Sequence, residues 1–343
     1  MTKAAEAIGR LREIVAAFPR TTVTVLGDLV ADEFVFGEIA RVSREAPVLI
    51  LKHRERSVIP GGGANAINNL ADLGVKVLPV GLVGRDEPGR LLLREFRRKK
   101  ISLTGILQDK EFSTVTKTRI LAGTTHSPRQ QVVRVDREPT NEPAKRLIDQ
   151  LIRRARQYVK TSHALLVSDY GYGSAAPSVL GAVRAGDKRV IPITLDSRFR
   201  MLQFSGVTAA TPNEPEVEDA LGFRVGNDWE RVLSAGNQLM RRMKLQSLVI
   251  TRGRDGMVAF ERRRSPVDIP IFGSDEVADV TGAGDTVIAT FTAALAAGAN
   301  TQEAAQLANY AGGIVVMKRG TATVTRDELL QALIKVPPAL RSH

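Results

Sequence analysis

The stretch Asp279-Val-Thr-Gly-Ala-Gly-Asp285-Thr286 constrains the fold more than any other part of the chain. It is a glycine-rich turn that runs directly into residues 286–297, a segment apolar on most sides, as expected of a helix buried against a sheet. A turn of this kind at a helix start is an anion site, because the N–H groups of Gly282, Ala283 and Gly284 point outward at the positive end of the helix dipole. Asp285 stands at its mouth. A carboxylate there can take a proton from an attacking hydroxyl while the N–H groups receive the charge of a transferring phosphoryl group. The octet points to phosphoryl transfer, and the plainer reading is a glycine-rich loop whose aspartate caps the helix.

The remaining chain supplies a sheet. Residues 3–18 have helical spacing (Ala5, Ile8, Leu11, Ile14, Val15), and 21–26 read as a buried strand ending at Gly27-Asp28. Alternating stretches within 33–58, such as 48–52, predict short strands with no helix between them. Gly61-Gly62-Gly63-Ala64-Asn65 then opens a helix over 66–73, followed by a strand over 75–83 and a helix over 87–99. Residues 114–121 and 130–136 predict a β-hairpin turning over 123–128, and a helix over 142–159 and a strand over 164–168 restore the alternation. Further strands are expected at 190–195, 206–210 and 247–251, and a second C-terminal helix at 301–317. The expected architecture is α/β: an open, mostly parallel sheet with helices on both faces, in one domain over 1–343. A helix at 1–20 precedes it, and insertions at about 33–58 and 112–136 form a small β lid.

Composition narrows the function. With 343 residues, 43% hydrophobic and 25% charged, the chain can bury a large core, and without a membrane span or leader pattern it is expected in the cytosol. The absence of cysteine excludes disulfides and thiolate chemistry, and His53, His126, His163 and His343 lack metal-ligand spacing. A net charge of +12 suggests nucleic acid. Yet Arg97-Arg98-Lys99-Lys100, Arg153-Arg154 and Arg262-Arg263-Arg264 are scattered, and aromatics, at 5%, do not interleave with them. Neither nucleic acid nor membrane is expected as a partner; attraction of anionic small molecules is a sufficient use of the field.

Acids recur beyond expected strand ends, at Asp28, Asp169 and Asp196, and after a turn at Asp285, although each could cap a helix or shape a turn. Gly61-Gly62-Gly63 would let a polyhydroxylated ligand approach backbone, with Asn65 as donor and acceptor, or simply start a helix. No Walker A loop is present. Gly171-Tyr-Gly173-Ser-Ala-Ala176 approximates a dinucleotide fingerprint with Asp196 ending the next strand, but Ala176 replaces the third glycine, Pro177 crowds the helix start, and the octet would be left unexplained.

The octet resembles the C-terminal signature of the ribokinase-like (PfkB) carbohydrate kinases. Gly61-Gly-Gly-Ala-Asn65 with Val80-Gly-Leu-Val-Gly-Arg-Asp86 resembles their N-terminal signature, and the likeness runs over about 22–330. Gly27-Asp-Leu-Val-Ala-Asp32, Arg41-Val-Ser-Arg-Glu-Ala-Pro47, Thr116-Lys-Thr-Arg119, Val133-Arg-Val-Asp136, Ser168-Asp-Tyr170 and Gly320-Thr-Ala-Thr-Val324 resemble the heptose kinase domain of ADP-heptose synthesis. The resemblance implies a ribokinase-like fold and transfer of the γ-phosphoryl of ATP to O1 of D-glycero-D-manno-heptose 7-phosphate. It implies Asp285 as general base and Gly282, Ala283 and Gly284 as the anion hole. Asp28, Gly62, Gly63 and Asn65 would hold the sugar, with Arg134 and Asp169 bordering it. Nucleotide would lie along Asn213, Glu216, Thr251, Arg252, Gly253 and Gly256, with Asn309 near the adenine. Glu216 would organise magnesium, and Asp279 and Thr281, with backbone near Lys318 and Gly320, would bind a monovalent cation such as potassium. A homodimer through the lid is also implied.

Two departures matter. Tyr172 and Ser197-Arg198 stand where the heptose kinases usually carry lysines, which bears on recognition of a second phosphate. The chain ends at 343 without the nucleotidyltransferase domain of many heptose enzymes, so the resemblance implies adenylylation by a separate protein. A kinase for another sugar and a non-catalytic sugar or nucleotide sensor stay open beside the heptose reading.

Overall fold

The computed structural model describes residues 3–123, 129–185, 189–226, 228–273, 279–318 and 320–335. In chain order its elements are α1 (Lys3–Ala17), β1 (Thr22–Gly27), β2 (Leu29–Val42), β3 (Leu49–Gly62), α2 (Gly63–Asp72), β4 (Lys76–Gly84), α3 (Glu87–Arg98) and β5 (Ile106–Asp109). Then come β6 (Val115–Gly123), β7 (Gln130–Arg137), α4 (Lys145–Val159), β8 (Ala164–Asp169), α5 (Pro177–Ala185), β9 (Ile193–Ser197) and β10 (Ala209–Ala210). The chain continues through α6 (Glu214–Leu221), α7 (Trp229–Arg242), β11 (Ser247–Thr251), β12 (Met257–Glu261), β13 (Val267–Ile269), α8 (Ala283–Ala296), α9 (Thr301–Val316) and α10 (Arg326–Lys335).

The larger sheet has the order β13-β12-β11-β10-β9-β8-β1-β4-β5, parallel from β11 to β5 and antiparallel only at the β12–β13 edge. Its strands are apolar on both sides because both faces are covered. In β8, Ala164 and Leu166 face a core shared with α1, α2, α3, α8, α9 and α10, whereas Leu165 and Val167 face one shared with α4, α5, α6 and α7. The N-terminal helix docks through Leu11, Ile14, Val15 and Phe18, all buried. Helix α8 is buried along most of its length, from Asp285 to Ala294, which explains a composition apolar on most sides. Strand order reverses between β1 and β8, the crevice where open α/β sheets place their ligands.

The smaller sheet has the order β3-β2-β6-β7 and is built from the two insertions expected as a lid. β2 and β3 are not short strands but a hairpin of 14 residues each, bulged near Gly37 and Arg41. The second hairpin pairs β6 with β7; its turn, 124–128, lies outside the described residues. Asp32, Lys117 and Asp136 form one cross-strand row, and Phe34, Arg119 and Arg134 the next. The lid is joined to the body at both ends of its first hairpin, since β2 starts directly after Asp28 and β3 ends in the residue that caps α2.

Other expectations shift. Helices α2 and α8 start at Gly63 and Ala283, earlier than the apolar periodicity implied, because Gly62 (φ 53°) and Gly282 (φ 78°) turn the chain and the small residues after them take helical backbone. The strand expected at 206–210 is only Ala209–Ala210, and β9 starts at Ile193. Among the described residues no helix is long and apolar enough to cross a membrane, and no group of three or more His, Cys, Asp or Glu is arranged to hold a metal ion; His126 and His343 lie outside them.

Candidate active site

Asp285 lies in the first turn of α8, 4% exposed, and its carboxylate is held from two sides. Asn65 Nδ2, from the first turn of α2, donates to Oδ2 at 3.0 Å, and the Tyr170 hydroxyl, just beyond β8, donates to Oδ1 at 2.9 Å. The Asn65 amide has a fixed orientation, because its Oδ1 accepts from Asn69 Nδ2 at 3.1 Å and Asn69 Oδ1 accepts from Thr286 Oγ1 at 2.9 Å. A buried chain of amides and a hydroxyl thus joins the starts of α2 and α8. Burial pushes Asp285 up to about 7, against the downward pull of Asn65 and Tyr170. Of the three N–H groups expected to form an anion hole, that of Ala283 closes a turn onto the Val280 carbonyl at 3.2 Å. Among the described residues the N–H groups of Gly282 and Gly284 make no such turn bond.

Asp28 and Asp169, both expected at the sugar, each make several contacts within the protein. Asp28, 1% exposed, accepts backbone N–H bonds from Tyr170, Tyr172 and Ser174 at 2.8–3.0 Å, so its carboxylate organises the loop after β8. Burial raises it to about 6, with help from the charge of Asp169 and against those three donors. Asp169, also 1% exposed, is clasped by the Arg200 guanidinium, with Nη2 at 2.6 Å, and by Ser197 Oγ at 2.7 Å. Ser197 and Arg200 therefore satisfy a buried acid. Arg134 is half-exposed on β7, paired with Asp136 at 2.9 Å, in the lid row next to that of Lys117. The Tyr172 hydroxyl donates to Glu138 at 2.7 Å and accepts from Lys117 Nζ at 3.4 Å, tying the loop after β8 to the lid.

The glycine triplet is explained by close packing. A Cβ on Gly63 would lie 2.9 Å from the Asp28 carbonyl oxygen, and one on Gly62 would lie 2.9 Å from Val30 and 3.2 Å from the Tyr170 ring.

On the other side of α8 is a cleft of about 910 Å³, lined among others by Asn213, Thr251, Arg252, Gly253, Gly256, Ala283, Gly284 and Asn309. Met257, Ile271, Val280, Val287 and Val316 give it an apolar part. Arg252 has its side chain 8% exposed; it lies 3.9 Å from both Glu214 and Asp255 and, among the described residues, its Nε has no hydrogen-bond partner. Asn309 donates to the Pro270 carbonyl at 2.8 Å and so fixes the strand that closes the cleft. Asn213 and Glu216 form a capping box on α6, and Glu216 commits Oε2 to it. Glu216 also lies beside Asp196, and burial followed by the charge of Glu216 holds Asp196 well above the usual carboxylate range. Asp279 accepts from the N–H groups of Thr281 at 2.9 Å and Gly320 at 3.2 Å, drawing the glycine turn to the segment after α9. Nearby, the hydroxyl of Thr321, whose methyl would lie 2.8 Å from a Cβ on Gly282, is buried and, among the described residues, without a hydrogen-bond partner.

Residues 22–328 match the family described as pfkB family carbohydrate kinase. The chain belongs to that family. The kinase is 40% identical over 317 residues to the bifunctional protein HldE of Geobacter sulfurreducens, covering 90% of this chain and 62% of that one. With the HldE of Gluconobacter oxydans it shares 36% over 319 residues, 92% and 65% of the two chains. It spans less than two thirds of the length of these relatives. Among solved structures it superposes on Arabidopsis thaliana ribokinase complexed with ribose and ATP, with TM-score 0.71, 18% identity and 91% and 98% of the chains covered. Escherichia coli phosphofructokinase-2, solved with substrates and products and also with potassium, gives 0.73. For the former complex identity is 16% and coverage 92% and 98%. The fold is ribokinase-like, and the kinase is a phosphotransferase acting on an alcohol group.

Sequence reasoning missed Tyr170, Asn69, Lys117 and Arg200 as parts of this kinase's site. Asn69 carried a signal, one helical turn after Asn65. Tyr170 and Lys117 carried one only as members of the Ser168-Asp-Tyr170 and Thr116-Lys-Thr-Arg119 motifs, with no role attached, and Arg200 carried none, since what it touches lies in another segment.

Proposed function

We propose that the kinase transfers the γ-phosphoryl of ATP to O1 of D-glycero-D-manno-heptose 7-phosphate, giving heptose 1,7-bisphosphate and ADP. One observation carries the catalytic part: a buried carboxylate, Asp285, poised near neutrality between the Asn65–Tyr170 side and the cleft that opens on Gly284. Asp285 accepts the proton of the anomeric hydroxyl as its oxygen bonds to phosphorus and the bond from phosphorus to the β-phosphate oxygen breaks. The N–H groups of Gly282 and Gly284 and the dipole of α8 stabilise the passing charge. Arg252, with Thr251, Gly253 and Gly256, holds the phosphates of ATP, and Asn213 and Asn309 border the same cleft.

Kinases of this type use ATP and magnesium. Two hard carboxylates close together, Asp196 and Glu216, fit magnesium, which binds through few carboxylates plus substrate phosphates and would screen phosphate charge. Asp279, Thr281 and the backbone at Gly320, with the unpartnered Thr321 hydroxyl, fit a monovalent cation such as potassium, which would steady the turn that carries the anion hole.

In this reading the whole chain is one kinase domain working in the cytoplasm, and it dimerises through the outer face of the lid, where Val35, Ile120 and Val133 form a cross-strand apolar row. The heptose substrate rests on the subgroup motifs and on the HldE relatives. One feature favours a different sugar: Tyr172, in place of a lysine, donates its hydroxyl to Glu138, and Asp196-Ser197-Arg198 replaces Asp-Pro-Lys, where Arg198 keeps a cation of different geometry. The test is ATP consumption over a panel of sugars and sugar phosphates, with Asp285→Asn beside the parent. Turnover of heptose 7-phosphate that the substitution abolishes supports the assignment. Turnover only with an unphosphorylated sugar keeps the kinase and discards the heptose phosphate.

A further inference from the structure

Asp285 is not held by its own helix. The Tyr170 hydroxyl reaches it from the other side of the crevice, 115 residues earlier in the chain, and three features place that hydroxyl. The backbone N–H of Tyr170 is pinned to Asp28 Oδ2 at 2.9 Å. Its ring lies over Gly62, where any side chain would meet it. The loop beyond it is held by two further N–H bonds to the same Asp28 carboxylate. Gly62 and Asp28, expected to touch sugar, thus both serve the position of this one phenol.

We propose that Tyr170 is a positioning residue for phosphoryl transfer: its hydroxyl fixes the plane of the Asp285 carboxylate and holds it in the ionised form that receives the acceptor's proton. This rests on the reading of Asp285 as the base. An ionised carboxylate offers about four lone-pair sites, so Asn65 and Tyr170 together leave one on each oxygen for an incoming hydroxyl. Neither donor competes for the proton. Asn65 has none to exchange, and burial, together with the nearby charge of Asp285, raises Tyr170 well above its ordinary range, so the phenol remains a donor at every working pH. The other groups that bear on Asp285 are Asp32 of β2, itself paired with Arg119 at 2.6 Å, Asp196 at the end of β9, and Arg198 just after it. The two acids oppose ionisation and Arg198 favours it, so removing the phenol tips the balance toward the protonated acid.

The experiment is the pH dependence of kcat/KM for the parent, Tyr170→Phe and Asp285→Asn, using whichever acceptor the panel identifies. Loss of one charge-assisted hydrogen bond should move the acid limb of Tyr170→Phe up by about one pH unit, leaving a deficit of roughly tenfold below neutrality that closes at about pH 9. Site-specific Tyr170→3-fluorotyrosine, a stronger donor of nearly the same size, should move the limb down, and it decides the matter if Tyr170→Phe does not fold. A loss equal at every pH, or an unmoved limb in both variants, overturns the inference and leaves Tyr170 as a packing residue. If Asp285→Asn turns over like the parent, the base assignment itself fails, which is a different result from an unmoved limb with Asp285→Asn inactive.

Discussion

Replacing Asp285 with asparagine should make the protein more stable while it destroys activity, and the gain should depend on pH in a defined direction. The carboxyl titrates at 3.8 in an open chain and at about 7 in the fold, chiefly because it is buried. Between those values the folded state keeps a proton that the unfolded chain releases, so stability falls as pH rises through this window. A shift of about three units costs the ionised fold up to about 4 kcal/mol, fully present above the folded value and absent below the unfolded one. Asparagine has nearly the same shape and no charge. It can accept from Asn65 and donate to the Tyr170 oxygen, so it escapes that cost without opening a cavity. Urea denaturation should therefore show Asp285→Asn more stable than the parent at about pH 8, by up to about 4 kcal/mol, with the difference shrinking toward zero near pH 4. Turnover should fall by roughly 10²–10⁴, as for loss of a general base. A variant less stable than the parent at pH 8, or a gain that ignores pH, would refute the claim that this site stores a desolvated charge.

Other perturbations follow from the same contacts. Gly282→Ala puts a Cβ at φ 78° and 2.6 Å from Asn65 Nδ2, so kcat should drop about a hundredfold with ATP affinity retained; an unchanged kcat would mean that Asn65 does not need its position. Arg200→Met leaves Asp169 buried without its cation and should cost about 3–5 kcal/mol in urea denaturation, whereas a neutral effect would mean that the Arg200–Asp169 pair does not hold this part of the fold. Val133→Glu places a charge in the outer lid row and should convert a dimer to monomers in sedimentation; a monomeric parent would remove the dimer proposal altogether.

What could be read from the sequence was chemistry confined to short segments. The turn before Asp285 shows as a glycine pattern and the Thr251–Gly256 segment through the family resemblance, and the structure brings them to one cleft. The strands of the large sheet showed where both faces are buried, as in β8, but β5, β12 and β13, with 3–5 residues each, are too short for a periodic signal. Helices α6 and α7 carry capping residues, Asn213 and Asp228, but an isolated Asn or Asp is the same signal in a helix cap, a turn or a ligand site. Asp28 shows the deeper limit. An acid at a strand end is the same signal whether it faces a ligand or folds a loop, and only the N–H groups arriving from residues 170–174 tell the two apart.

Asn65 and Asp285 are 220 residues apart, and that separation matters for how the protein is made. By the time β1 and β8 have left the ribosome, one face of the sheet still lacks α8 and α9, its most apolar cover. At ~5–20 residues per second the nascent chain carries that bare face for roughly ten seconds before α8 can seal it. The same helix delivers the carboxylate, so much of the exposed apolar surface disappears as Asp285 reaches Asn65. Substitutions that weaken the seating of Phe291 or Ile288 should therefore lower the yield of soluble protein long before they alter the turnover of the molecules that fold.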